Sequence, residues 1–292
     1  MIKDILVVTI TVLNLGPVET AWEEHLGYST VAEGTVSAEL SDVWNTPEMT
    51  GKDYVLMQPS SEAEVYIRFV EDVRPDDYVS LTTHGWNATE LLVTDPDGIA
   101  AAMEDSPFTV VGPPADLWDA PDAPRAMQAI GPGDEFLYFT RNNDFVTDTD
   151  IDRVFIMVLG GPSLDALSDY YEQTLGLGLS DPLQLPVPFM AAAQCVPADH
   201  LYSLRVAILS PEFLFELDEY PATTTPRPVK PGHLPPGTAM VGVTTTDLDA
   251  LDVSWRATPA VIEAFPYNGR RVGVTQGPAG EWLEIIETRV SE

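Results

Sequence analysis

The stretch VFIMVLGGPSLDALSDYYEQTLGLGL at residues 154–179 decides the fold. Its first part is an apolar run typical of a buried strand, and its second part has the apolar spacing of an amphipathic helix. Ser163 stands between the two parts, where its side-chain oxygen can accept a hydrogen bond from a free N–H of the first helical turn. The stretch therefore predicts a strand that is followed directly by a capped helix.

Three further stretches repeat this order of strand, turn and helix. They begin at residues 5, 90 and 240, and their predicted helix caps are Asn14, Asp95 and Asp247. Asn14 and Ser163 are 149 positions apart, and Asp95 and Asp247 are 152 positions apart. A repeat of this length indicates four modules that are arranged as two similar halves.

The last strands of the two halves also match each other. The sequences GPGDEFLYF at 131–139 and GPAGEWLEII at 277–286 both read Gly-Pro-x-x-Glu-aromatic-Leu. The stretch AEVYIRFVED at 63–72 corresponds in the same way to EFLFELDEY at 212–220. These matches are independent of the helix caps and indicate the same division into halves.

Each module is completed by further strands. Alternating segments such as 54–58 and 202–210 supply them, so that each module reads βαβββ. The polar stretch at 141–150 lacks apolar periodicity and is the predicted hinge. We therefore expect an N-terminal domain at residues 1–145, with modules 1 and 2, and a C-terminal domain at 151–292, with modules 3 and 4.

This order of elements, with helices that end in LGY or LGL and with the repeated GPxxE strand ends, resembles the vicinal oxygen chelate superfamily. That superfamily includes glyoxalases, bleomycin-resistance proteins and extradiol dioxygenases. The resemblance covers nearly the whole chain. It implies an α+β fold in which tandem βαβββ modules pair into two open-barrel, glyoxalase-like domains, each curled around one cavity.

The resemblance also implies where metal ligands would lie in metal-using relatives. The matching positions are Val7, Arg68, Ala88 and Tyr138 in the first half, and Arg153, Glu216, Met240 and Glu284 in the second half. Only two of these residues are carboxylates, two are fixed cations and one is a soft thioether. None of the four histidines falls on such a position. We therefore expect no metal and no cofactor.

Glu216 and Glu284 are the predicted catalytic residues. If both carboxyls point into one cavity, their like charges would raise the pKa of one while Arg153 lowers the pKa of the other, which gives an acid/base pair. A structural salt bridge or two exposed glutamates are the alternatives. Strand alternation completes the predicted substrate-binding set, which is Arg153, Phe155, Arg205, Met240 and Trp282.

The predicted function is that of a metal-independent small-molecule enzyme. It would carry out lyase or isomerase chemistry on a hydrophobic or aromatic oxygenated compound, whose oxyanion or carboxylate Arg153 would hold. One alternative is a non-catalytic protein of the bleomycin-resistance type that binds a drug or metabolite. Another is a metal-dependent lyase or dioxygenase with relocated ligands.

Composition limits the partners. The chain has 46 Asp and Glu against 14 Lys and Arg, a net charge of −32, which disfavours nucleic acid and anionic membrane surfaces. No apolar run approaches the ~18 residues of a membrane span. The single cysteine, Cys195, excludes a disulfide framework. We predict a cytoplasmic protein with a small-molecule ligand and leave open whether it forms a homodimer.

Overall fold

The computed structural model describes residues 2–147 and 149–288. Module 1 consists of β1 (Ile2–Val12), α1 (Leu15–Leu26), β2 (Tyr28–Thr35), α2 (Ala38–Trp44), β3 (Asp53–Pro59) and β4 (Tyr66–Glu71). Module 2 consists of β5 (Gly85–Val93), α3 (Pro96–Ala102), β6 (Thr109–Asp116), β7 (Arg125–Ile130) and β8 (Phe136–Arg141).

The second half is built in a similar way. Module 3 consists of β9 (Ile151–Gly161), α4 (Leu164–Asp169) with a π-helical extension (Tyr170–Thr174), β10 (Gly178–Leu179), β11 (Leu183–Pro186), α5 (Pro188–Ala193), β12 (Leu201–Ser210) and β13 (Phe213–Glu219). Module 4 consists of β14 (Gly237–Thr245), β15 (Ala260–Ile262), β16 (Arg270–Gln276) and β17 (Trp282–Glu287).

Two of the predicted helix caps form as expected. The Asn14 side chain accepts a hydrogen bond from the Gly16 N–H at 3.2 Å, and Ser163 accepts one from the Ala166 N–H at 3.2 Å. The helix predicted after Asp247 does not form. Aspartates are poor helix formers, and this segment is a turn in which Asp249 is paired with Arg271 at 2.8 Å.

The modules form two sheets, and each sheet combines modules from both halves. The eight-stranded sheet has the order β15-β16-β17-β14-β1-β4-β3-β2, so it unites modules 1 and 4. The nine-stranded sheet has the order β10-β12-β13-β9-β5-β8-β7-β6, with β11 paired to β12, so it unites modules 2 and 3. We call them the 1–4 sheet and the 2–3 sheet. The end strands of the eight-stranded order do not pair with each other, so that sheet is open rather than a closed barrel.

This pairing differs from the expected one of module 1 with 2 and module 3 with 4. The seam of the 1–4 sheet is the antiparallel pair of β1 and β14, in which Val7 lies opposite Gly242. A Cβ at Gly242 would lie 2.5 Å from Cγ1 of Val7, so the glycine lets the two strands approach. The domain boundary expected between residues 145 and 151 stays a prediction.

One apolar core is shared by the two sheets and by the main helices. It includes Val8 of β1, Leu91 of β5, Trp22 of α1 and Leu167 of α4, all nearly inaccessible to solvent. We call the opposite face of each sheet its inner face. The inner face of the 1–4 sheet is covered by α2, and that of the 2–3 sheet is covered in part by α5.

The repeated GPxxE motif forms the same turn in both halves. The Trp22 indole N–H and the Gly133 N–H donate to the two carboxyl oxygens of Glu135, each at 2.8 Å. In the second half, Glu281 accepts from the Tyr171 hydroxyl at 3.1 Å and from the Ala279 N–H at 2.8 Å. Each glutamate thus ties the turn before a last strand to the helix of the preceding module.

No helix in residues 2–147 or 149–288 has the length and apolar character needed to cross a membrane.

Candidate active site

The two glutamates predicted to be catalytic do not share a cavity. Glu216 lies on β13 in the 2–3 sheet, whereas Glu284 lies on β17 in the 1–4 sheet. The expectation that they form one pair is therefore wrong. Its cause is the exchange of modules between the halves, which places equivalent strands of modules 3 and 4 in different sheets.

The predicted substrate-binding residues of module 3 do not converge on an inner face. Arg153 is ion-paired with Asp152 at 3.1 Å and lines a surface crevice. Phe155 is buried, and its ring centroid lies 5.2 Å from that of Phe145 in the linker between β8 and β9. Arg205 donates a hydrogen bond from Nε to the Ser180 carbonyl oxygen at 2.8 Å.

The two members of the set from module 4 lie in the other sheet. Met240 and Trp282 are adjacent across β14 and β17, and both are buried in the core on the inner face of the 1–4 sheet. The guanidinium carbon of Arg256 lies 3.5 Å from the centroid of the Trp282 ring. The set expected to bind one substrate is thus divided between two sheets.

A buried ion pair occupies the centre of the 1–4 inner face. Arg68 Nη2 lies 3.3 Å from Glu284 Oε2, and both side chains are almost fully buried. Thr9 Oγ1 accepts hydrogen bonds from Nε and Nη2 of Arg68 at 3.1 and 2.8 Å. The Tyr267 hydroxyl accepts from Arg68 Nη1 at 2.6 Å and donates to Glu284 Oε1 at 2.7 Å. The Trp44 indole N–H donates to the same Oε1 at 2.7 Å.

This arrangement leaves the Glu284 carboxylate no free oxygen for a substrate. The Trp44 ring also covers Arg68, whose guanidinium carbon is 4.7 Å from the ring centroid. The space that remains beside Arg68 and Tyr267 is a cleft of about 30 Å³. Glu284 therefore belongs to a structural salt bridge, the alternative that the sequence left open, with Arg68 rather than Arg153 as its partner.

The inner face of the 2–3 sheet carries a different set of groups. Glu90 on β5 and Glu216 and Asp218 on β13 form what we call the acid cluster. Glu90 and Asp218 are 6% and 2% exposed, whereas Glu216 is half-buried. No salt bridge within the described part of the chain involves any of the three.

The carboxyls of the acid cluster are buried without an ion-pair partner among the described residues, and this raises their pKa values. Burial raises the pKa of Glu90 to about 8, and the charge of Glu216 contributes to that rise. Burial also raises the pKa of Glu216 to about 7. The pKa of Asp218 is raised well above its ordinary range by burial and then by Glu216. Glu90 and Asp218 therefore hold their protons at neutral pH, Glu216 is partly ionised there, and the three carboxyls titrate as a coupled group.

Two neighbouring hydroxyl groups belong to tyrosines. Tyr138 lies next to Glu90 across β5 and β8, and burial raises its pKa well above 10, so it stays neutral. The Tyr220 hydroxyl and Asp218 Oδ1 are buried without a hydrogen-bond partner among residues 2–147 and 149–288. Buried polar atoms of this kind are uncommon and are concentrated at functional sites.

An aromatic wall borders the acid cluster. The ring of Phe189 on α5 stacks on Phe136 with a centroid distance of 5.2 Å, and it contacts Tyr138 edge-on at 5.9 Å. A hydrogen bond from the Tyr202 hydroxyl to Gln194 at 2.9 Å holds the end of α5 against β12. The site therefore combines proton-holding carboxyls with a partly open aromatic surface.

Comparison with solved structures identifies the architecture. Glyoxalase I from Zea mays superimposes with a TM-score of 0.66 at 13% identity, over 98% of this chain and 92% of that chain. This chain has the vicinal oxygen chelate fold. A proposed dioxygenase from Bacillus subtilis matches with a TM-score of 0.58 at 12% identity, over 99% of this chain and 86% of that chain. No protein-family model and no curated protein matches the sequence.

The residues present do not fit the metal that the vicinal oxygen chelate fold holds in other proteins. In the 1–4 sheet the ligand positions bring Glu284 together with Arg68, whose cation already occupies the carboxylate. In the 2–3 sheet they bring Glu216 together with Tyr138 and Ala88. No group of three His, Cys, Asp or Glu side chains in the described residues is arranged to hold a metal ion.

Proposed function

We propose that this protein is a small-molecule enzyme that moves a proton on or off a hydrophobic or aromatic oxygenated compound at the acid cluster. The observation that carries the proposal is the pair Glu90 and Glu216, two carboxyls with pKa values of about 8 and 7 on one inner face. Groups that titrate near the working pH are the most effective general acids and bases. The reaction class is that of a lyase or an isomerase.

The two glutamates have different roles. Glu216 is the most exposed member of the acid cluster, and at about pH 7 it is ionised in about half of the molecules. It is the group that takes a proton from carbon or oxygen of the substrate. Glu90 holds its proton more strongly and supplies it to the oxygen on which negative charge develops. The Tyr138 hydroxyl can donate a hydrogen bond to the same oxygen.

The surroundings favour a neutral substrate with an aromatic or apolar part. No salt bridge among the described residues supplies a cation to the acid cluster, so the face has no partner for a substrate carboxylate or phosphate. The stacked rings of Phe136 and Phe189 and the half-buried side chain of Leu214 offer apolar contact. Apolar surroundings with a few polar groups are typical of sites for small organic ligands.

A binding protein without turnover is the second candidate. The aromatic wall formed by Phe136, Tyr138 and Phe189 would hold an aromatic ring whether or not a proton is transferred. In that case the raised pKa values would serve only to keep the face uncharged.

The first test measures protonation directly. Carboxyl ¹³C chemical shifts of labelled Glu and Asp should show two or more carboxyls that titrate near neutral pH and that change in Glu90→Gln and Glu216→Gln. Exposed Glu212 lies just before β13, so Glu212→Gln is the matched control. If Glu90 and Glu216 both titrate below about pH 5, the proposal fails.

The second test separates an enzyme from a binding protein. Deuterium exchange at the α-carbon of aryl ketones such as propiophenone is followed by NMR for wild type, Glu216→Gln, Glu284→Gln and Glu212→Gln. We expect Glu216→Gln to lose about 100-fold or more of any catalysed exchange, while Glu284→Gln retains it in the folded fraction. A ketone that binds in every variant without exchange would support the binding protein and overturn the enzyme.

A further inference from the structure

A crevice of about 300 Å³ lies where the two sheets meet, and its lining includes Ala239 and Trp282 from the inner face of the 1–4 sheet but no member of the acid cluster. One wall includes Trp86 at the start of β5, and the other includes Trp282 at the start of β17. The Trp86 indole N–H donates to the Trp282 carbonyl oxygen at 2.8 Å, which closes the floor. The proline-rich loop at 221–236, which links β13 of the 2–3 sheet to β14 of the 1–4 sheet, forms the rim.

The charge of this crevice is opposite to that of the chain. Arg227, Lys230 and Arg256 line it, whereas Glu281 is its one lining acid among the described residues. Both carboxyl oxygens of Glu281 accept hydrogen bonds within the protein, and burial raises its pKa to about 7. In a chain with 46 acidic and 14 basic residues, a cavity lined by more basic than acidic side chains is exceptional.

Arg227 is anchored without a counterion. Its Nη2 donates to the Trp86 carbonyl oxygen at 2.6 Å, and its Nη1 donates to the Thr238 carbonyl oxygen at 2.7 Å. Its Nε donates to Thr83 Oγ1 at 3.2 Å. These acceptors are neutral, so the positive charge of Arg227 remains uncompensated beside the crevice.

Arg256 is held in place by two hydrogen bonds, and its Nη2 is left available for a ligand. Its Nε donates to the Trp44 carbonyl oxygen at 3.2 Å and its Nη1 to Gln276 Oε1 at 3.4 Å, while its guanidinium carbon lies over the Trp282 ring. Its Nη2 makes no hydrogen bond to the described residues. Lys230 is exposed on the rim, and no carboxylate in the described part of the chain lies within salt-bridge distance of it.

We infer that this crevice binds a small organic anion, with its carboxylate or phosphate group against Arg256 and Lys230. A preorganised guanidinium is well suited to a planar carboxylate or a phosphate oxygen. Pro226, Val229 and Pro235 supply apolar contact for the body of the ligand. A volume of this size suits a molecule of about the size of a substituted benzene ring. This site is separate from the acid cluster, none of whose residues line the crevice.

The test uses benzoate, phenyl phosphate and inorganic phosphate as probes, with neutral benzamide as the ligand control. Binding is measured by calorimetry and by the tryptophan indole resonances in NMR, at about 20 mM and about 200 mM salt. We expect benzoate or phenyl phosphate to bind, benzamide not to bind, and affinity to fall at the higher salt concentration. Preference for phenyl phosphate identifies a phosphate site and preference for benzoate a carboxylate site, whereas binding of inorganic phosphate without either organic anion overturns the inference.

The variants locate the site. Lys230→Gln changes an exposed side chain and should weaken binding about three-fold, whereas Arg256→Gln should weaken it about tenfold or more. Arg271→Gln is the matched control, since Arg271 is already paired with Asp249 outside the crevice. The inference is overturned if no anionic probe binds, if benzamide binds as tightly as benzoate, or if Lys230→Gln and Arg256→Gln both bind like wild type.

Discussion

Replacing Glu90 by glutamine tests the protonation of the acid cluster through stability. In the folded protein the pKa of Glu90 is about 8, against an ordinary value of 4.5. The folded state therefore binds this proton more tightly than the unfolded state does. Because of this difference, the free energy of unfolding decreases as the pH rises from about 4.5 to about 8, and the loss is nearly complete above pH 8.

The size of the effect follows from the two pKa values. At about pH 8 the unfavourable ionisation of Glu90 costs about 4 kcal/mol of stability, and at about pH 5 it costs about 1 kcal/mol. Glutamine has nearly the same shape and cannot ionise. Its buried amide adds a cost to the free energy of unfolding that does not vary with pH. The informative quantity is therefore how much the difference in stability between variant and wild type changes from pH 5 to pH 8, which is about 3 kcal/mol.

The assay is denaturant unfolding of wild type and Glu90→Gln across this pH range. The free-energy difference between variant and wild type should move in favour of the variant by about 3 kcal/mol from pH 5 to pH 8. Glu33→Gln, which removes an exposed carboxylate on β2, is the control and should run parallel to wild type. If Glu90→Gln also runs parallel to wild type, Glu90 is not protonated at neutral pH and the acid cluster loses its chemical basis.

Other predictions concern the structural parts of the molecule. Glu284→Gln leaves buried Arg68 without its carboxylate and should cost about 3–5 kcal/mol of unfolding free energy, measured with denaturant. The double variant with Arg68→Met should recover part of that loss; if it is no more stable than Glu284→Gln, the pair is not coupled. Gly131→Ala would place a Cβ 1.9 Å from Oε1 of Glu135 and should lower Tm by several degrees, whereas Gly178→Ala, where a Cβ meets open space, should leave Tm nearly unchanged.

The repeat of about 150 residues made the fold predictable, because helix caps and GPxxE turns are determined by local sequence. The choice of partner strand is not local. Glu216 and Glu284 stand at equivalent positions of adjacent modules and look like a pair, yet module exchange gives them Tyr138 and Arg68 as companions. The pairing depends on long-range contacts such as the one at Gly242, which no short stretch reveals.

Asp218 was missed for a different reason. It stands two positions after Glu216 on the same strand, so alternation alone places both side chains on one face. Glu90 lies on β5, in the other half of the chain, where no local sequence pattern pairs it with Glu216 or Asp218. Only the joining of β5 to β9 brings these three carboxyls together.

The seam between β1 and β14 also bears on how the molecule is assembled during translation. During synthesis β1 has to wait for β14, its partner strand, which begins more than 200 residues later in the chain. The 2–3 sheet, whose strands are contiguous in the chain, can close during that interval. A nascent chain released early would thus expose the unpaired edge of β1, at which other chains could add a strand and aggregate. Pairing with β14 of module 4 covers this edge.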